Sequence, residues 1–146
     1  MARAVAVGLL GTAAMTAAQA LAGDTSSGDP EKGWDEAPAP AKVARKALGL
    51  VGVDAPPAWI PVLTQAMHWG YGTAWGASYA LARRRSASAG EAAAFGLLVW
   101  AASYAELVPL GVYEPPWRYD ARTHAKDVGL HLAFGAGTVA AARALA

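Results

Sequence analysis

Four long stretches of the chain carry charge only near their ends, and polar segments separate them. They run from Ala4 to Ala22, Ile60 to Ala82, Glu91 to Val108 and Asp127 to Leu145. About 20 mostly apolar residues suffice to cross a bilayer as a helix, so each stretch predicts a membrane span. None shows the alternation of apolar and polar residues that a β-barrel strand needs. Pro109 ends the third stretch, since proline cannot continue a helix. The pattern therefore predicts an all-α, integral membrane four-helix bundle, one domain over residues 1–146.

The polar segments carry their own signals. In the linker over residues 23–58, the first half is rich in Gly, Ser, Pro and Asp and predicts irregular chain. The second half predicts a short amphipathic helix from Ala41 to Leu48. Val43, Ala47 and Leu50 fall on one side, and Lys42, Arg45 and Lys46 towards the other. Pro40 suits its first turn and Gly49 its end. A second polar connection covers residues 110–126.

The first stretch has two readings. A basic start, an apolar core and Ala18-Gln19-Ala20 resemble a cleavable signal peptide. Against that, Gly8, Thr12, Thr16 and Ala20 form a small-residue stripe on one face, which a signal core does not need. The stripe favours a retained helix. Arg83, Arg84 and Arg85 follow the second stretch directly, and short basic loops stay in the cytoplasm. Four spans then place both termini inside and both long connections outside. Arg3 and Arg143 agree; the basic residues of the long connections, which also hold many acids, do not.

Composition points the same way. Charged residues make up 16% and hydrophobic ones 55%, with a mean hydropathy of +0.24. Soluble domains average about 25% charged, and charge in hydrocarbon is costly. A net charge of +1 leaves no footprint for nucleic acid. The absence of cysteine excludes disulfides, thiolate metal sites and a cysteine nucleophile.

Small residues predict how the helices meet. His68, Gly72, Gly76 and Ala80 lie four apart on the second span, and Gly129, Ala133, Gly137 and Ala141 on the fourth. Such faces let backbones approach closely, within the chain or in a homo-oligomer. Tyr71, Trp75 and Tyr79 form a separate ridge. Trp34, Trp59, Trp117 and Tyr113 are expected near the outer interface.

The topology also gathers polar residues. His68, Tyr104, Glu106, Asp127 and His131 fall in the outer half, with Gln19 and Asp24 at the end of the first span. His124, Asp127 and His131 are three and four apart, a spacing that places imidazole and carboxylate on one helical face, as a divalent metal site requires. The bland alternatives are that Asp127 caps the first helical turn, His124 is solvated, and His131 bonds a tyrosine or carbonyl. A polar network fixing the packing, a proton or solute path, and a haem between His68 and His131 are further readings. No nucleophile elbow, phosphate loop, dinucleotide fingerprint or zinc-protease motif is present, so catalysis has no support and no cofactor is expected.

Three stretches carry a family resemblance: MHWGYGTAWGASYAL in the second span, PLGVYEPPWRYDARTHAKD with GLHLAFGAGT around the fourth, and GLLGTAAMTAAQ in the first. They resemble small bacterial membrane proteins related to the YagU-like inner-membrane group. The resemblance implies a four-span bacterial inner-membrane protein with its first helix retained. It supplies no activity. Its matching positions are His68, Trp69, Tyr71, Trp117, Tyr119, Asp120, Lys126, Asp127 and His131. The functions expected are a non-enzymatic scaffold or a binder of lipid or a membrane partner, an oligomeric transport element built on His68, Glu106 and His131, or a metal- or haem-binding membrane protein.

Overall fold

A computed structural model describes residues 1–24, 27–82 and 88–146. Among these the chain is all-helical, with five α-helices and no strand. They are α1 (Ala2–Leu21), α2 (Ala39–Leu50), α3 (Ile60–Ala82), α4 (Ala89–Leu107) and α5 (Ala121–Ala144). Arg83, Arg84 and Arg85, on which the expected orientation rests, lie outside the described residues.

Local chemistry sets the helix ends. Ser88 accepts a bond from Glu91 N at 3.1 Å, starting α4 with a Ser-x-x-Glu capping pattern. Asp120 accepts from Thr123 N at 2.7 Å and starts α5. The fourth helix therefore begins six residues before Asp127, and Asp120, not Asp127, satisfies its first amides. The hydrogen bonds hold Asp120 below the usual carboxylate range, the backbone amide of Thr123 being the first cause. In α2 the predicted stop at Gly49 is displaced. The positive φ that favours glycine falls at Gly52, φ +80°, and Val53 N closes the end onto Leu48 O at 3.0 Å.

One register governs the contact of α1 with α3. Thr16 meets His68, Thr12 meets Gly72, and Gly8 meets Gly76. The two four-residue stripes read separately in the sequence are thus each other's partners, and the helices run antiparallel. A Cβ on Gly76 would sit 2.5 Å from the Gly8 Cα, and one on Gly72 would strike the Thr12 hydroxyl. Gly72 and Gly76 are used inside the chain rather than offered to another copy.

The α1–α5 and α4–α5 contacts are built alike. Gly11 lies under Thr138, and Gly137 under Ala14. Gly96 meets the His131 carbonyl, and Gly135 the Ala92 carbonyl. Gly129 is the exception: nothing lies within 4 Å of its Cβ position. The reason is geometric. At about 3.6 residues per turn, each four-residue step rotates about 40° around the helix. Gly129 is consequently exposed, Ala133 and Gly137 half-buried and Ala141 buried. Gly129 therefore packs against no other helix of this chain among the described residues, and Gly96 and Gly135 make the close contacts within it.

The remaining interface, between α3 and α4, is wide and filled with rings. Phe95 lies 4.8 Å from Tyr79 and 6.5 Å from Trp75 between ring centres, and 5.7 Å from Phe134 on α5. Two tyrosine–carboxylate bonds span it at opposite ends, Tyr71 to Glu106 and Tyr79 to Glu91, each 2.8 Å. The amphipathic α2 packs on α3 through Ala41, buried with Ala37 and Ile60. Its seated face is Ala41 and Ala44, whereas Ala47 and Leu50 are exposed, so the expected face is corrected.

Of the four long helices, α1 alone among the described residues is long and apolar enough over its whole window to qualify as a span by length and composition, at mean hydropathy 1.6. Tyrosine, tryptophan, histidine and glycine dilute α3, and α5 begins with a charged turn.

Candidate functional site

The wide interface leaves space at the end of the bundle that carries the long connections. A cavity of about 350 Å³ lies there among α1, α3, α4 and α5. Met15, Met67, Val99, Leu107, Leu130 and Phe134 supply its apolar lining. His68, Glu106, Asp127 and His131, read from sequence as neighbours, all line it, together with Gln19 and Asp24. Ala39, Pro40 and Val43 of α2 cover part of its mouth. The polar groups thus converge from four helices at the end of the bundle that carries the long connections.

Each group is held. His68 Nε2 lies 3.0 Å from Thr16 Oγ1. Thr16 donates its own proton to Thr12 O at 2.9 Å, so the imidazole N–H is the donor between them. His131, 8% exposed, donates Nδ1–H to the Asp127 carbonyl at 2.8 Å. Asp127 Oδ2 accepts from Trp100 Nε1 at 2.9 Å. Ser103 donates to Trp100 O at 2.7 Å. Lys126 Nζ reaches Asp24 Oδ2 at 2.8 Å and ties the start of α5 to the end of α1. Burial, followed by the nearby Asp127 carboxylate, pushes the Tyr113 phenol above its ordinary range, so this hydroxyl on the cavity edge keeps its proton.

Two expected members stand apart. His124 turns out of the cavity and donates Nε2–H to Pro116 O at 2.7 Å. Its ring sits among Trp100, Tyr104 and Tyr119, with centres about 6 Å away, and its Nδ1 is buried without a partner. Tyr104 belongs to this aromatic group and lines a smaller space of about 260 Å³ with Tyr113, Tyr119 and Asp127. The spacing of His124, Asp127 and His131 is therefore not a ligand set. Among the described residues no three His, Cys, Asp or Glu side chains are placed to hold a metal ion. Helical spacing counted only the shared face; the pull of Pro116 O on one imidazole and of Asp127 O on the other separates them.

Several participants had no signal of their own. Ser103 and Val99 become readable only once Glu106 is placed, being three and seven residues before it on the same helical face. Trp100 reaches Asp127 across the α4–α5 contact, a register that Gly96 and Gly135 set. The residues make a partly open, hydrogen-bonded pocket with an apolar body. They do not pair a nucleophile with a base. No protein-family model matches the chain, and neither a curated protein nor a solved structure matches it.

Proposed function

We propose that the chain is a four-span membrane protein that binds an amphiphilic molecule from the bilayer, without turning it over. The observation that carries the reading is the cavity: about 350 Å³, within the range of roughly 300–1,000 Å³ typical of small-molecule sites, apolar along its length and polar where His68, Glu106, Asp127 and His131 meet.

The membrane half rests on where charge lies. The four long helices have 20, 23, 19 and 24 residues. At about 1.5 Å per residue they span about 29–36 Å, against about 30 Å of hydrocarbon. From Ile60 to Ala82 there is no Asp, Glu, Lys or Arg, and between Asp127 and Arg143 there is none either. The outward faces instead carry exposed Leu9, Leu10, Val62, Leu81, Leu97 and Leu98. A water-facing helix would place charge there. A buried core helix does not fit α1 either, because only 28% of its apolar window is buried. Retention of α1 belongs to the same reading, since its stripe packs on α3 and its Gly11 and Ala14 on α5. So does membership of the YagU-like group, which adds an inner-membrane location and no activity.

The transport reading draws less support. The rings of Trp75, Phe95 and Phe134 lie between the cavity and the Tyr79–Glu91 pair, so no polar path joins the two ends among the described residues.

A photoactivatable fatty alcohol tests the site in native membranes. Labelling should fall on Met15, Met67 and Val99, which line the cavity, as well as on the exposed leucines. Label confined to the exposed leucines would remove the binding reading. Release of the chain from membranes by alkaline wash would remove the membrane reading.

A further inference from the structure

Counting protons in the cavity gives its polarity. A hydroxyl has one proton to donate. That of Thr12 goes to Gly8 O at 2.9 Å, that of Thr16 to Thr12 O at 2.9 Å, and that of Ser103 to Trp100 O at 2.7 Å. That of Tyr71 goes to Glu106 Oε2 at 2.8 Å. His68 donates from Nε2, so its neutral ring leaves Nδ1 as a lone pair. His131 donates from Nδ1 to a carbonyl, and in the neutral ring Nε2 is then a lone pair.

His131 is more than nine-tenths buried, lines the cavity, and its Nε2 has no hydrogen-bond partner among the described residues. Glu106 receives a phenol and Asp127 an indole, and His131 Nδ1 lies 3.4 Å from Asp127 Oδ1. The lining contains no Lys or Arg, and Lys126 engages Asp24. The donors left in the lining are the Gln19 amide and the Tyr113 hydroxyl, and two of its carboxylates have no lysine or arginine against them. Asp127 and His131 are partly withdrawn from water, while Glu106 is exposed. A ligand whose head donates hydrogen bonds and carries positive charge meets both carboxylates through charge-assisted bonds. A carboxylate or phosphate head would be repelled by them.

We propose that the cavity binds a lipophilic amine, with its ammonium head among Glu106, Asp127 and His131 and its apolar body along Met15, Met67 and Phe134. This rests on the reading of the cavity as an amphiphile site.

The test is calorimetric titration of the full chain in neutral-detergent micelles, at a pH near 8 where an alkylamine is charged and an ordinary imidazole neutral. The probes are octylamine, octanol and octanoate, each with a micelle blank. Octylamine should bind about tenfold or more tighter than octanol, as a charge-assisted bond exceeds a neutral one, and octanoate should show no heat above blank. Glu106→Gln and Asp127→Asn, which keep an acceptor for Tyr71 and Trp100, should bring the amine down to the level of the alcohol. Glu91→Gln, at the opposite end, should preserve the preference. Equal binding of amine and alcohol, or tighter binding of octanoate, would overturn the amine proposal. If that binding is still blocked by Ser103→Trp, the amphiphile reading stands. Absence of binding by all three probes would overturn both.

Discussion

Gly70 and Gly76 lie on the same helix, and their replacement by alanine should move stability in opposite directions. At Gly70 nothing lies within 4 Å of the new Cβ. Only the helix preference changes, which favours alanine by up to about 1 kcal/mol. At Gly76 the same gain applies, but the Cβ arrives 2.5 Å from the Gly8 Cα and 3.2 Å from the Gly8 N. Carbon atoms rest at about 3.5–4.0 Å, so α1 and α3 must separate by about 1 Å. The neighbour is backbone and has no rotamer by which to yield.

Overpacking of this kind costs about 1–3 kcal/mol. Gly76→Ala should therefore be destabilising by up to about 2 kcal/mol once about 1 kcal/mol of helix preference is returned. Thermal unfolding of the two variants in the same neutral detergent, by circular dichroism, compares them directly. At roughly 2–4 °C per kcal/mol for a chain of this order of size, the Gly76 variant should melt several degrees below the Gly70 variant. Equal midpoints, or a more stable Gly76→Ala, would mean that α1 and α3 do not meet in this register.

Three further outcomes follow from single contacts. Tyr71→Phe removes the bond to Glu106; it should cost about 1 kcal/mol and raise hydrogen exchange at residues 103–107 above that at 92–96, read by mass spectrometry. Lys126→Ala breaks the bridge to Asp24, whose partners are 48% and 40% exposed, so the loss should stay below about 1 kcal/mol and shrink with added salt in a thermal scan. Asp120 is depressed in the folded chain by its bonds from Thr123. Its capping contribution is thus present above the ordinary carboxylate pKa of about 3.9 and lost as pH falls through the lower folded value. The Thr123 amide should exchange faster on acidification through that window relative to Ser88-capped Glu91, and Asp120→Asn should abolish the difference.

The helices were legible because apolar runs and their stops are local properties. The runs at 60–82 and 91–108 differ from α3 and α4 by two residues at most. The sharing of one space by His68, Glu106, Asp127 and His131 was also legible, since helix direction alone fixes depth. What sequence did not carry was rotation. Gly129 shares a four-residue stripe with Gly137, yet about 40° per step turns it to the outside. His124 shares a face with His131, yet a carbonyl in the preceding connection holds its ring away. The seat of α2 was missed for a similar reason. Ala41 packs with Ala37 against Ile60 and Ala44 is buried beside it, while Val43 is half-buried at the cavity mouth and Ala47 and Leu50 are exposed.

The distribution of small and large residues explains why there is a cavity and why it lies at one end. Close contacts hold α1 to α3, α1 to α5 and α4 to α5, each through glycine, alanine or threonine facing backbone. A ring of four helices closed tightly on three sides is left with one gap, between α3 and α4. At its middle the gap is filled by Trp75, Tyr79, Phe95 and Phe134. Towards the long connections the residues facing inward become Met15, Met67, His68 and Ser103, which are too small or too flexible to fill it. A protein selected only for packing would place leucine or phenylalanine at those positions, as it does one turn below. Placing instead histidine, serine and two carboxylates, with no lysine or arginine among them, costs stability that the rest of the bundle must offset. That pattern is what a site requires and what a core avoids.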